Sequence, residues 1–445
     1  MEDKEQISAD KLLNDIENLI AKKGNLLKSN GIDISNKTIS GSLSINLNFP
    51  FNFENCIFQN NFSFFGNKIS EDINFRRCDF TRDISFIDFT ALKRITFLDC
   101  NIQGQFVISA EINKLLCYST PINDLIINSS TISEIELGGK ELSRLNSVSI
   151  LNANKISKIQ FANLEIRKIN FSVLANETEI FNCSLNSICL NKVRNSGNLK
   201  LLNCKSLSIS NKMSHFIITE SNLGKAEFFQ FDFSSFDEVN IINSVLNECL
   251  FVNTTWANNI KTYAGDQMDL YLKDRISIRQ GKKIDNTETI HQLKNKREVY
   301  KQIKYALSKQ GDYVNEQLFH TLEMNTYNKI LPWTYNNIST KTILYLSSVT
   351  SLYGQSLLRP VIFLVLINSI LISLINFDNN LHFIPIEQIS FKDILKPTSQ
   401  LFWYSNPFHK AEEFKGIQII LDTLIRIVSS YSIYNIIRAT RRFIK

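Results

Sequence analysis

Hydrophobic residues recur in closely spaced pairs near the start of the chain, with one residue between the two members. Six such triplets begin 11 residues apart, at Phe51, Phe62, Ile73, Ile84, Ile95 and Phe106. Because alternate residues of a β-strand point to opposite faces, the outer members are predicted to enter a core, while the middle residue, usually Asn, Ser or Thr, faces water. The predicted core residues are Phe51, Phe53, Phe62, Phe64, Ile73, Phe75, Ile84, Phe86, Ile95, Phe97 and Phe106.

The period doubles in the residues that connect the triplets. Cys56, Cys78 and Cys100 hold matching positions 22 residues apart, so one turn of the predicted fold takes 22 residues and two short strands. A fixed period without helical spacing is typical of a solenoid, whose turns bury their apolar edges by stacking. Weaker triplets between about 110 and 145 predict irregular or looped coils. Roughly nine or ten turns, at about 4.8 Å each, would form a rod roughly 45 Å long.

Two short motifs in this region carry a family resemblance. The run from Ala162 to Ile166 and the run from Ser221 to Phe228 resemble the A(D/N)LXX unit of pentapeptide-repeat proteins, and Phe53 and Phe58 keep the same five-residue step. The resemblance implies a right-handed β-helix. Because most coils here are degenerate copies of the unit, the predicted fold is a loose right-handed β-solenoid in a mainly β protein.

Helical periodicity replaces the strand pattern after the solenoid. The apolar residues from Leu293 to Tyr327 recur with helical spacing and predict two helices, or one bent helix, interrupted at Gly311 and Asp312. Within them, the segment from Arg297 to Asp312 and selected residues up to Tyr327 resemble the linker helices of a class of bacterial pentapeptide-repeat-like membrane proteins. Candidate functional residues from this resemblance are Arg297, Tyr300, Asp312, Glu323 and Arg359. The alternative for the charged ones is an ordinary solvated helix face with i,i+4 pairs.

Two apolar segments near the end of the sequence predict a transmembrane helical hairpin. Residues 361–377 contain no charge, and with their flanks they reach the roughly 20 residues that a spanning helix needs. The second segment is interrupted by Asp422 and Arg426, which lie four residues apart and can therefore pair. Ionisable residues inside a membrane are functional candidates. The alternative is an interfacial helix in which the pair solvates one face.

Positive flanks predict the orientation of this hairpin. Lysine and arginine are frequent between 294 and 341 and again from Arg438 to Lys445, so both termini are expected in the cytoplasm. The resemblance to bacterial membrane proteins implies that the membrane is a bacterial inner (plasma) membrane. The net charge of +6 is mild. Anionic lipid headgroups suit the basic tail better than nucleic acid does.

These observations divide the chain into five predicted parts. They are an N-terminal helical cap (1–40), the β-solenoid (41–260), a connector (261–288), linker helices (289–335) and a membrane domain (336–445) with an interfacial helix at about 340–353 and spans at about 357–377 and 416–437. The cap helix is predicted from apolar residues on one face, including Leu12 and Ile16, and would cover the open end of the solenoid. The acidic start predicts no classical signal peptide.

No catalytic or cofactor motif is present in the sequence. There is no P-loop, GxSxG, HExxH or dinucleotide fingerprint. The eight cysteines all fall in the solenoid without CxxC spacing, so a column of buried thiols is expected in place of a metal site, with disulfides as the alternative for an extracellular rod. The five histidines are scattered, which gives a histidine-based site little support. The protein is therefore predicted to be neither an enzyme nor a cofactor or metal carrier.

Three functions were weighed on these grounds. The first is a membrane-anchored solenoid that presents a cytoplasmic binding surface, as a scaffold or sensor. The second is a small oligomeric two-span channel, although 395–410 contains no glycine-rich carbonyl filter. The third, a DNA mimic, is set aside because basic residues such as Arg76 and Arg94 alternate with acids on the rod. Expected partners are the lipid bilayer, another protein and a second copy of the chain, with no nucleic acid.

Overall fold

The structure is a computed structural model, and it describes most of the chain. The described residues are 4–46, 49–65, 71–88, 92–128, 131–151, 155–172, 175–194, 198–207, 213–257, 259–262, 289–377, 399–410 and 417–444. The chain divides into two compact units, Met1–Thr287 and Glu288–Lys445, and each is described by itself. The predicted connector beyond Thr262 and most of the loop between the predicted spans lie outside the described residues.

The first unit is a parallel β-solenoid of about nine turns, as the triplets predict. Its strands are β1 (Glu5–Ser8), β2 (Ile32–Ser35), β3 (Lys37–Ser40), β4 (Leu43–Asn46), β5 (Phe51–Glu54), β6 (Ile57–Phe58), β7 (Phe62–Phe65), β8 (Asp72–Arg76), β9 (Asp79–Phe80), β10 (Ile84–Ile87), β11 (Leu92–Leu98), β12 (Asn101–Ser109), β13 (Ile112–Tyr118), β14 (Ile122–Asn128), β15 (Thr131–Leu151), β16 (Lys155–Phe171), β17 (Glu177–Phe181), β18 (Ser184–Asn191), β19 (Asn198–Leu202), β20 (Lys205–Ser206), β21 (His215–Thr219), β22 (Glu227–Phe229), β23 (Glu238–Ile242), β24 (Leu250–Val252) and β25 (Ile260–Lys261). The right hand of the solenoid stays a prediction.

One ladder of core side chains runs along the rod, each residue pairing with its counterpart one turn later. It consists of Phe53, Phe75, Phe97, Cys117, Leu137, Phe161, Ile180, Leu201, Phe228 and Phe251. Within it the rings of Phe75 and Phe97 stack with centroids 4.7 Å apart and planes 11° apart. A second ladder passes through Phe64 and Phe86. All eleven predicted core residues are at most 1% exposed, so the predicted register is confirmed.

The predicted two strands per turn are not found in the early turns of the solenoid, whereas further along β13 and β14 together make one turn of two strands. The two-residue strands β6 and β9 pair Phe58 with Phe80, and β12 extends the same ladder to Ile102. Each of these turns therefore has three strands instead of two. A two-residue strand is too short to show an alternating pattern in the sequence, although the burial of Phe58 and Phe80 gives it a core-facing side chain.

The corners of the turns are left-handed. The residue that follows many of the core strands has a positive φ, for example Asn55 (56°), Arg77 (51°) and Asp99 (53°). Asparagine and aspartate tolerate this region better than most residues. Asparagines at successive corners also bond to each other, with Asn203 Nδ2 donating to Asn182 Oδ1 at 2.8 Å. The corner turns the chain so that the next residue, such as Cys56, enters the core.

The ladders run through the region between about 110 and 145, with Leu115 opposite Ile135 and Leu125 opposite Val148. The predicted irregularity is found at one place in the described part of this region, because the register of β15 against β16 shifts between Gly138 and Ser143. The step between paired residues is also uneven, 20 residues between β13 and β15 and 23 between β14 and β15, which moves these triplets out of step with the earlier ones.

The N-terminal helix α1 (Ala9–Asn30) buries Leu12 and Ile16, two residues of its predicted apolar face. Ser8 caps the helix by accepting from the backbone N–H of Lys11. The sheet also begins earlier than the predicted boundary at residue 41, because β1 pairs with β3 and β2 pairs with β5. Strands therefore lie on both sides of this helix in the sequence.

The cysteines form buried columns of free thiols. Cys56, Cys78 and Cys100 stack one turn apart, and the backbone N–H of Cys78 donates to Cys100 Sγ at 3.4 Å. Thr120 takes the next position in the column. The hydrogen bond with Cys78, together with burial, raises the pKa of Cys56 well above its usual range, and burial raises that of Cys204 to about 12. All eight cysteines are free, and these two shifts make the thiols poor nucleophiles.

The second unit is helical. Its helices are α2 (Ile290–Gln310), α3 (Tyr313–Ile330), α4 (Ile338–Ser351), α5 (Leu358–Phe377) and α6 (Ile417–Ile444), with a short helical segment at 399–405. A capping box between Thr289 and Gln292 starts α2, and Gly311, at φ 74°, ends it. The linker is therefore two helices, the first of the two predicted alternatives. Two helices, over Leu358–Ile375 and Ile417–Thr440, are long and apolar enough to cross a membrane.

Candidate functional site

Three charged or ionisable side chains meet at the N-terminal end of α6, and we call them the hairpin cluster: His409, Asp422 and Arg426. His409 Nε2 lies 2.7 Å from Asp422 Oδ1, and Arg426 Nε donates to Asp422 Oδ2 at 2.9 Å. The His409 side chain is fully buried and the Asp422 side chain is 10% exposed. The predicted pairing of Asp422 with Arg426 is confirmed, and His409 joins it from the segment before the helix.

The backbone of Asn406 orients the His409 ring. Its carbonyl oxygen lies 2.7 Å from Nδ1 and can only accept a hydrogen bond, so Nδ1–H is the donor in this contact. Nε2 then points at Asp422 Oδ1, while Arg426 occupies the second carboxylate oxygen.

A second polar contact joins the two long helices nearer their midpoints. Asn368 in α5 is fully buried and donates to Ser429 Oγ at 2.9 Å and to Ser405 Oγ at 3.3 Å. The packing between the helices is otherwise apolar, with Ile372, Ile375, Tyr404 and Ile425 in one buried cluster. The pair of helices is thus held by small polar residues and close apolar contacts, as is usual between membrane helices.

The two faces of α6 differ in polarity. Its buried residues recur every three or four positions: Asp422, Ile425, Ser429, Ser432, Asn435 and Ala439. Between 417 and 440 its exposed large hydrophobic residues are Ile417, Ile419, Ile420, Leu424, Ile427, Tyr431, Tyr434 and Ile437. The exposed hydroxyl of Thr423 bonds back to the carbonyl of Ile419 at 2.8 Å. Among the described residues of this helix, the carboxylate of Asp422 and the amide of Asn435 are buried, and the amide of Gln418 is partly exposed at the edge of the apolar face.

A junction connects α3 with the beginning and end of the hairpin. Leu352, Tyr353 and Gly354 have φ values of 49°, 56° and 89°, a left-handed turn between α4 and α5. Gln317 of α3 donates to the carbonyl of Tyr353 at 2.7 Å. A Cβ atom on Gly354 would lie 3.0 Å from Nε of Arg438, so the glycine makes room for that arginine.

His320 is the partner of Arg438 in this junction. Arg438 Nη2 lies 3.0 Å from His320 Nε2 and donates to it, which requires a neutral imidazole. Burial, helped by the positive charges of Arg438 and Lys304, lowers the pKa of His320 to about 4. The junction therefore depends on the uncharged form of this histidine.

The predicted residues of the linker helices support the packing of α2 against α3. Glu323 is 3% exposed and pairs with Lys304 Nζ at 2.6 Å, with Arg297 Nε at 3.9 Å from its other oxygen. The guanidinium of Arg297 lies 3.8 Å above the centre of the Tyr327 ring. Tyr300 is buried against Phe319, with ring centroids 5.9 Å apart. The structure brings these residues together between the two helices.

Two further candidates from the sequence sit at helix ends. Asp312 caps α3 by accepting from the backbone N–H of Asn315 at 3.1 Å. Arg359 is exposed at the start of α5, and its Nη1 lies 3.5 Å from the carbonyl of Ser348. Neither of them reaches the hairpin cluster, so the seven candidates fall into four separate groups in the helical unit: the pair Asp422 and Arg426, the three residues between α2 and α3, Asp312, and Arg359.

The solenoid carries an unusual outward-facing column, which we call the apolar stripe. It consists of Leu98, Tyr118, Gly138, Ala162, Phe181, Leu202, Phe229 and Val252, each paired in register with the next. These positions follow the core ladder by one residue and therefore face away from the core. Tyr118 is 37% exposed and Phe229 is 41% exposed. The other five non-glycine members are partly exposed.

His409, His320 and the apolar stripe were not predicted from the sequence. Both histidines are isolated in the sequence, and only the folded chain brings them to Asp422 and Arg438. The apolar stripe could have been found by reading the residue after each triplet in this ladder, because Leu98, Phe181 and Phe229 occupy that position. Comparisons with protein-family models, characterised proteins and solved structures gave no match for this chain.

Proposed function

We propose that the protein is a non-catalytic scaffold, anchored by its helical hairpin in a bacterial inner membrane, whose solenoid presents a binding surface in the cytoplasm. The apolar stripe is the observation that carries this proposal. Contiguous exposed apolar residues are uncommon on soluble surfaces and usually mark an interaction site. A solenoid is also a fold whose extended faces are commonly used for binding.

The hairpin favours an anchor over a pore. A pore needs polar side chains on the surface that lines it. In the described part of α6, Asp422 pairs with His409 and Arg426 of the same chain, and Ser429 accepts a hydrogen bond from Asn368 of α5. These contacts close inside one hairpin and leave mostly apolar side chains for lipid, which suits a membrane anchor.

Exposed aromatic residues support a membrane position for this unit. Trp333 and Tyr335 precede the first apolar helix, and Phe402, Trp403 and Phe408 lie between the two. Tryptophan and tyrosine concentrate at membrane interfaces. Basic residues on the outer flanks of both spans support cytoplasmic termini, which would leave the solenoid on the cytoplasmic side.

Photo-crosslinking tests the binding surface. A photoreactive phenylalanine analogue at Phe229 of the full-length chain, expressed in its membrane, should give a discrete crosslinked species. The same analogue at Lys168, an exposed residue of the solenoid outside the apolar stripe, is the matched control. Absence of a discrete species at Phe229 and at Phe181, with normal expression, would refute a binding role for the stripe.

Exchange of the hairpin separates an anchor from a channel. If residues 357–445 only anchor the chain, an unrelated two-span hairpin in their place should leave the Phe229 crosslink unchanged. The channel hypothesis predicts instead an ion-selective current from the purified protein in a bilayer. Such a current, abolished by Arg426→Leu because Asp422 then loses its charged partner, would replace the scaffold by the channel.

A further inference from the structure

We propose that the partner of the apolar stripe is a second copy of the solenoid, packed antiparallel against the first about a two-fold axis between Gly138 and Ala162. This inference rests on the proposed function, since it names the occupant of the same surface. It is carried by two features of the face that contains the stripe, its profile of residue sizes and its distribution of charge.

The sizes of the six side chains from Leu98 to Leu202 are symmetric about their middle. Gly138 and Ala162 are the two smallest members of the stripe and pair with each other in register. Moving outward by one turn on each side gives Tyr118 and Phe181, and by two turns Leu98 and Leu202. An antiparallel copy would therefore bring Tyr118 opposite Phe181, while the small central pair allows the two sheets to approach closely. Phe229 and Val252 lie beyond this symmetric part and would face the strands of Arg76 and Glu54.

The charges on the same strands are arranged in opposite halves. Strands β8, β11 and β13 carry four basic residues and one acidic residue: Arg76, Lys93, Arg94, Lys114 and Asp72. Strands β17, β19 and β22 carry three acidic residues and one basic residue: Glu177, Glu179, Glu227 and Lys200. A parallel copy would place the basic strands against basic strands and the acidic strands against acidic strands. An antiparallel copy brings the basic half against the acidic half.

The charges can also be compared turn by turn, by pairing each strand of one copy with the strand that faces it across the axis. The strand of Lys114 falls opposite the strand of Glu177 and Glu179, and the strand of Arg76 falls opposite that of Glu227. At the centre, Glu134 of one copy falls opposite Lys158 of the other. Arg94 meets the strand of Lys200, which is the one unfavourable turn. Several of these charges also pair within their own chain, Lys200 with Glu179 at 3.2 Å and Lys114 with Glu134 and Glu136 at 3.2 Å and 2.8 Å, so the contact between copies would extend existing ion pairs.

A peptide or an unrelated protein explains this arrangement less well. A foreign partner requires no relation between the two halves of the stripe, whereas a two-fold contact requires each half to fit the other. Two sheets packed face to face lie about 10 Å apart with nearly aligned strands. That distance is filled by one layer of side chains from each sheet, which the large members of the stripe supply.

Crosslinking between differently tagged copies tests the geometry. Full-length chains carrying Tyr118→Cys and Phe181→Cys are co-expressed in the same membrane and treated with a short bismaleimide. The antiparallel contact predicts a mixed 118–181 adduct, stronger than either self-adduct, and a self-adduct for Ala162→Cys at the axis. The unmodified chain, whose cysteines are nearly all buried, and Lys168→Cys are the controls and should give no adduct.

The oligomeric state provides the second measurement. Ala162→Arg would bring two like charges together at the axis, and it should raise the dissociation constant of the dimer at least about tenfold, by mass photometry of the full chain in nanodiscs. Ala162→Ser should keep the dimer, and unchanged circular dichroism for both variants excludes misfolding as the cause.

The outcomes separate this inference from the function on which it rests. Self-adducts at 118 and at 181 without a mixed adduct would overturn the antiparallel geometry. A monomeric wild-type chain would overturn the inference altogether. If the Phe229 photo-crosslink then had the mass of another protein, the scaffold proposal would stand with a different partner. If no crosslink formed at Phe229, both the second-copy inference and the scaffold proposal would be refuted.

Discussion

Replacing Phe75 tests the register of the core ladder most directly. Its side chain is fully buried. It stacks on Phe53 and Phe97 with ring centroids 5.1 Å and 4.7 Å away, and it meets the edge of Phe80 at 5.3 Å. Phe75→Ala would therefore remove the middle of a three-ring stack and leave a cavity that neighbouring turns cannot fill without moving.

The expected loss of stability is large for a single residue. Phenylalanine-to-alanine changes in cores cost about 3–5 kcal/mol, which includes the cavity. Phe75→Asp should cost several kcal/mol more because it leaves an unpaired charge among aromatic rings. Each turn of a solenoid is stabilised mainly by its neighbours. The loss should therefore open strands β5, β8 and β11 before it affects strands near β22.

Amide hydrogen exchange, followed by mass spectrometry on the full chain, resolves this difference along the rod. A cost of about 3 kcal/mol corresponds to roughly a hundredfold faster exchange in the affected strands. Lys93→Ala in the same turns, at an exposed side chain, should change stability by no more than about 0.5 kcal/mol. Unchanged protection of β8 in Phe75→Ala would refute the assignment of Phe75 to the core.

Two further predictions concern the helical unit. The pKa of His320 is lowered to about 4 in the fold from an unfolded value of about 6.5, so the unfolded chain binds a proton at a higher pH than the folded chain does. The thermal stability of the unit should therefore be complete above pH 6.5 and decline as the pH falls towards 4. His320→Gln should remove the part of this decline that comes from His320. For the proposed orientation, Lys410→Cys should react with a membrane-impermeant thiol reagent on intact cells while Lys445→Cys should not; labelling of Lys445→Cys alone would reverse the topology.

Much of the fold follows from the sequence because the triplets repeat. A side chain such as Phe97 can be assigned to the core from its position alone, since a register shift of one residue would move every core side chain of the strand to the solvent face. The ladder through Phe58, Phe80 and Ile102 could not be predicted, because Ile57 and Phe58 form a strand only through contacts with residues 19 to 22 positions away in the sequence.

The candidate site was predictable only in part. Asp422 and Arg426 are four residues apart in one apolar helix, so their pairing follows from helix geometry. His409 belongs to a different segment, and its approach to Asp422 depends on how the short segment 399–405 packs on the hairpin. His320 and Arg438 are separated by more than a hundred residues. No periodic pattern connects them.

The closed register of the turns determines which changes of length this protein tolerates. Removing one residue from a strand such as β8 would point Phe75 outward and break every ladder that passes through it. Removing one whole turn would instead join two strands that already resemble each other, and the corner asparagine, the core pair and the polar middle residue would meet counterparts of the same kind. For this fold, the natural unit of insertion and deletion is the turn, not the residue.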